Sequence, residues 1–88
     1  MMTWTVYHAV HPTFGRGRHP SFPLDYVAVA EVTADEIHEV FGLMNEGDIP
    51  SEVTLIGPLH RSTSVGDVVE TPNGHVFRVE PFGWTRLR

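Results

Sequence analysis

Asp25-Tyr26-Val27-Ala28-Val29-Ala30-Glu31-Val32-Thr33-Ala34-Asp35-Glu36-Ile37-His38-Glu39-Val40-Phe41-Gly42-Leu43-Met44-Asn45 is the stretch that decides the fold. Its first eight residues are apolar almost throughout, as in a central strand buried on both faces. The period then changes. Ile37, Val40, Phe41 and Met44 recur at i, i+3, i+4 and i+7, which is one face of an amphipathic helix. Thr33 is positioned as N-cap, with Glu36 three residues on as its capping-box partner. Gly47 stands where a helix stops. The spacing therefore predicts a strand over 25–32 and a helix over 34–45.

The flanks read as β-structure. Upstream, Trp4-Thr5-Val6-Tyr7-His8-Ala9-Val10 is aromatic and β-branched, with Trp4, Val6, His8 and Val10 on one face of a strand. His11 to Leu24 carries Pro12, Pro20 and Pro23, which is loop chemistry, and the loop is long for so small a domain. Downstream, Val53–Ile56 reads as a short edge strand bracketed by Pro50 and Pro58. Ser64–Thr71 and His75–Glu80 form a hairpin around Pro72-Asn73-Gly74. Phe82-Gly83-Trp84 then bends the chain into a last short strand at 85–87. One helix on one face of a mostly antiparallel sheet of 4–5 strands is the economical packing, an α+β domain spanning residues 1–88. A small, partly open barrel plugged by the helix is the alternative.

Composition narrows the function classes. Eighty-eight residues make one domain with a thin core. The absence of cysteine excludes disulfides, thiolate metal sites and a cysteine nucleophile. All six basic residues are arginine, so lysine chemistry is excluded as well. The formal charge of −5 argues against a general nucleic-acid binder. No run approaches the ~18 apolar residues of a membrane span, and Met1-Met2-Thr3-Trp4 lacks the basic flank of a signal peptide. The expectation is a soluble cytoplasmic protein.

Six histidines raise a metal hypothesis, but no His-x-x-x-His or His-Glu-x-x-His occurs. Period 2 sends His8 and His11 to opposite faces, leaving only a folded cluster such as His8, His60 and His75. No metal, no cofactor and no catalytic residue is expected. Ser62 and Ser64 near His60 lack a nucleophile elbow. The acid–base candidates Asp25, Glu31, Asp67, Glu70 and Glu80 read as solvated strand-edge charges.

Two stretches stand out as candidate binding elements. Gly15-Arg16-Gly17-Arg18-His19 is the most basic point of an acidic chain, and Arg16 and Arg18 suit phosphate oxygens. Phe14 and Phe22 flank it, and either pin the loop to the sheet or offer an apolar surface. The second stretch is Arg61-Ser62-Thr63-Ser64-Val65-Gly66-Asp67-Val68-Val69-Glu70. There the hydroxyls can bond nearby backbone, Asp67 can accept from the turn, and Gly66 permits a bulge.

The Arg61–Glu70 run, followed by Gly74-His75-Val76-Phe77-Arg78-Val79-Glu80 and Phe82-Gly83-Trp84, resembles the C-terminal signature of YodL-like proteins. These are small domains of phages and bacterial mobile elements. Their pattern is Arg-Ser-x-Ser-Val-x-Asp-Val-Val followed by an aromatic-rich strand. The resemblance covers roughly residues 25–87; Gly66 and Trp84 depart from it, and the N-terminal third is divergent. It implies an accessory gene and supplies no activity or catalytic residue. The expectation is a non-enzymatic accessory protein that binds a basic host protein, such as a defence or nucleic-acid-handling factor. Phe14, Phe22 and Trp84 are the contact candidates, and a homodimer is one form it can take. The alternative is a nucleotide or nucleic-acid-end binding module using Arg16, Arg18 and Arg61.

Overall fold

A computed structural model describes residues 2–11, 20–45, 50–57 and 63–88. The elements are β1 (Met2–Ala9), β2 (Tyr26–Ala34), α1 (Ile37–Met44), β3 (Val53–Leu55), β4 (Val68–Glu70), β5 (Val76–Val79) and β6 (Trp84–Arg86). The strands form one antiparallel sheet in the order β3-β2-β1-β4-β5-β6. The architecture is α+β, as the sequence indicates, but the sheet has six strands rather than 4–5. The sequence reads both three-residue strands, β3 at 53–56 and β6 at 85–87, and the sheet reaches six because both of them pair into it. Each is completed by pairing along a longer or more central neighbour.

The helix stripe is as read: Val40 and Met44 are buried, while Ile37 and Leu43 are half-buried against the same core. The helix start is not. Thr33 and Ala34 stay in β2, paired with Thr3 and Met2. The Trp4 indole N–H donates to the Ala34 carbonyl at 2.9 Å, and Thr33 N–H donates to the Glu52 carbonyl at 2.9 Å. These long-range bonds keep the strand going through Ala34, one residue past the expected cap, and the cap itself falls three residues later. Capping passes to Glu36, whose N–H donates to the Glu39 carboxylate at 3.1 Å, the returning half of a capping box.

The main core lies between α1 and the sheet, built from Trp4, Val6, Val32, Val40, Val53 and Val69 among others. A bulge between Val6 and Tyr7 inserts Val29 as an extra residue of β2. On the opposite face a smaller cluster gathers Ala9, Tyr26, Val68 and Val76, with Tyr7, Phe22 and Leu87 packed against it. β2 is therefore not buried on both faces along its length, for Val27 is 50% exposed and Glu31 is solvated. Val10 lies beyond β1 and is exposed.

Within 64–80 only Val68–Glu70 and Val76–Val79 are strand. Residues 64–67 form a turn in which Gly66 takes φ +94 and sends its N–H to the Val79 carbonyl at 2.8 Å. A side chain there would meet backbone strain rather than a neighbour.

Candidate functional site

Three places in the fold have chemistry to offer. The first is a buried polar node where β1 meets the turn before β4. Asp67, 1% exposed, accepts the Ala9 N–H on Oδ1 at 3.0 Å and the Ser64 N–H on Oδ2 at 2.8 Å. His8 Nε2 and Thr63 Oγ1 share a hydrogen bond of 2.9 Å, and the same nitrogen lies 3.9 Å from Asp67 Oδ2. The Tyr26 hydroxyl donates to the Gly66 carbonyl. Burial foremost, and then the charge of Asp67, holds the Tyr26 hydroxyl above its ordinary pKa. Hydroxyl, imidazole and carboxylate are the ingredients of a nucleophilic triad. Here, however, hydroxyl and carboxylate approach one ring nitrogen, whereas a triad uses both. All three side chains are also buried. The node ties β1, β2 and β4 together.

The second place is the face opposite the helix. Phe22 meets Tyr7 edge-on at 5.0 Å and Tyr26 at 5.6 Å between ring centroids, and the Arg88 guanidinium lies 5.2 Å from the Phe22 ring. Tyr7 donates its hydroxyl to Glu70 at 3.0 Å. Phe22 thus pins residues 20–25 to the sheet, the first of the two roles its sequence context allowed.

The third place is the β5–β6 turn. Phe82 is 98% exposed, the most exposed large apolar side chain among the described residues. The turn under it is braced. Gly83 takes φ +80, and Glu80 N–H donates to the Gly83 carbonyl at 3.1 Å. The Glu80 carboxylate accepts from Thr85 Oγ1 at 2.7 Å and from Arg78 at 3.3 Å. Trp84, two residues after Phe82, turns the other way and packs edge-to-face on Phe41 of the helix at 5.8 Å. Of the sequence candidates, then, Phe22 and Trp84 are half-buried and engaged. Phe14, Arg16, Arg18 and Arg61 lie outside the described residues, as does His60. The sequence reads Phe82-Gly83-Trp84 as a bend into the last strand, and turn chemistry alone does not tell which of its aromatics faces solvent.

Charge is divided across the sheet. Residues 26–57 contain no arginine, and Glu31, Asp35, Glu36, Glu39 and Glu52 are all exposed there. Arg78, Arg86 and Arg88 lie at the β5–β6 end, where Arg86 donates to His75 Nδ1 at 2.8 Å. Among the described residues no three His, Asp or Glu side chains converge to hold a metal ion, and no helix is long and apolar enough to cross a membrane. No family model, curated protein or solved structure matches the chain.

Proposed function

We propose that this chain is a non-enzymatic accessory protein that works by binding another protein, and that Phe82 is its anchor. The observation that carries this reading is a phenylalanine 98% exposed on a turn whose base is fixed by Glu80, Thr85, Arg78 and Gly83. A solvated apolar ring contributes nothing to folding. Because the turn that carries it is braced, little backbone order is lost when the ring enters a partner's pocket, and a few aromatic anchors of this kind come to dominate interfaces. The net charge of −5 favours encounter with a basic partner. The resemblance to YodL-like proteins adds the setting, an accessory gene of a phage or mobile element, and the acidic charge favours as partner a host protein that handles nucleic acid or defence.

The test is a titration of wild type and Phe82→Ala against a partner recovered from the natural host, at low and high salt. Phe82→Ala is expected to weaken binding at least about tenfold with an unchanged melting midpoint, and added salt to slow association. Equal binding by the variant removes Phe82 from the interface. Multiple turnover of a small-molecule substrate overturns the reading altogether.

A further inference from the structure

The hydrogen bonds between β2 and β3 fix which backbone groups of β3 face outward. Thr33 N–H donates to the Glu52 carbonyl and Ile56 N–H to the Val29 carbonyl, with Thr54 opposite Glu31 between them. In an antiparallel ladder this directs residues 52, 54 and 56 toward β2, and Val53 and Leu55 away from it. Val53 N–H is taken by the Pro50 carbonyl at 3.1 Å. The Val53 carbonyl and both polar groups of Leu55 remain on the rim, the pattern one strand presents to another. No described strand covers them, and Leu55 and Ile56 are 39% and 52% exposed.

Beside this rim, between α1 and the start of β3, lies an open cleft of about 300 Å³. Ala34, Gly42 and Leu43 line its apolar part, and Asp35, Glu39 and Glu52 its acidic part. A Cβ on Gly42 would meet nothing within 4 Å, so the cleft stays open above the helix. Among the described residues Glu39 and Glu52 have no cationic partner.

We propose that β3 accepts an extended cationic segment of a partner protein as a seventh strand, one arginine or lysine of which lies in the cleft. Main-chain bonds to Val53 and Leu55 supply the pairing. The aliphatic stem of the basic residue covers Leu43, and its charged head meets Glu39 and Glu52. A second copy of this chain is the wrong occupant, because residues 50–57 carry Glu52 and no arginine or lysine to enter the cleft. The surface lies at the opposite end of the sheet from Phe82, so the two readings stand or fall separately.

The test uses the full chain and two fluorescent octapeptides, one alternating Arg with Val and one alternating Glu with Val, followed by anisotropy at low salt. Saturable binding of the cationic peptide alone is expected. Glu39→Gln with Glu52→Gln should weaken it about tenfold or more. Gln at position 39 still caps the helix, so the fold is kept. Leu55→Pro, which deletes an N–H that β2 does not use, should abolish binding. Independently of whether that variant folds, hydrogen exchange of the wild-type Leu55 amide should slow on adding peptide, while the Thr54 amide, already facing β2, stays unchanged. Phe82→Ala should bind the peptide as wild type does. Several results overturn the proposal: no saturable binding, equal binding of the acidic peptide, an unprotected Leu55 amide, binding lost in Phe82→Ala, or a dimer that Leu55→Pro dissociates.

Discussion

The backbone N–H of Ala9 donates to Oδ1 of Asp67 at 3.0 Å, a bond spanning 58 positions of chain. It joins the end of the first strand to the turn that launches the fourth. The carboxylate is 1% exposed, so bulk water does not compete with it for the Ala9 donor.

Asp67→Ala should therefore destabilise the fold by about 2–3 kcal/mol, since it strands the buried Ala9 donor and leaves the half-buried Ser64 donor without its acceptor. For a domain of this size the thermal midpoint should fall by about 10 °C or more. A melt by circular dichroism reads it. An unchanged midpoint together with lost partner binding would reassign the Arg61–Glu70 run from fold determinant to binding site.

Alkaline pH should weaken the protein through Tyr7 and Tyr26. Burial is the main cause that raises both hydroxyls above 10.0, with Glu70 adding to it at Tyr7 and Asp67 at Tyr26. The unfolded chain then releases these protons at lower pH than the folded one. Their contribution is fully present below pH 10.0 and is lost as pH rises through the folded values. Urea melts between pH 8 and 11 should show this decline, and it should shrink in Tyr7→Phe with Tyr26→Phe. A decline unaltered by the double variant would assign the effect to other groups.

Trp84 and Phe82 should separate cleanly. Trp84→Ala removes the partner of Phe41 and should cost about 2 kcal/mol, whereas Phe82→Ala should stay within about 0.5 kcal/mol of wild type. Chemical denaturation of the two variants side by side is sufficient. Equal costs would mean that Phe82 packs on the protein itself.

Gly83→Ala places a Cβ on a backbone with φ +80 and should cost about 1–2 kcal/mol, although nothing lies within 4 Å of the new carbon. The loss should be strain alone. Gly83→Asn, which tolerates this conformation better, should recover part of it in the same melt.

The helix stripe Ile37, Val40, Phe41 and Met44 was legible because a 3.6-residue period is a local property of the sequence. Pro50 and Pro58 likewise marked β3 as an edge. The helix start was not legible, since Thr33 and Ala34 obey the pairing of β2 with β1 and β3, decided by residues far away in the chain. At Asp67 the sequence disclosed half of the arrangement. The Ser64 donor lies three residues away and follows from turn chemistry, whereas the Ala9 donor exists only once β1 and β4 are side by side. Phe82 and the cleft beside β3 were missed for a related reason. Exposure and concavity belong to assembled surfaces, and no spacing rule encodes them.

The strand order also sets a schedule for synthesis. β1 is made first yet lies inside the sheet, between β2, which follows directly, and β4, which begins only at Val68. Nine of the ten buried residues of the core beneath α1 precede residue 54, with Val69 as the exception. The cluster on the other face waits for Val68, Val76 and Leu87. As the chain leaves the ribosome, the half bearing β2, α1 and β3 is able to close on β1 early. The far edge of β1 then stays bare until β4 emerges to cover it. The order of synthesis thus makes strands available outward from the β1–β2 pair, first β3 at the acidic end and then β4, β5 and β6 toward the arginine-bearing end.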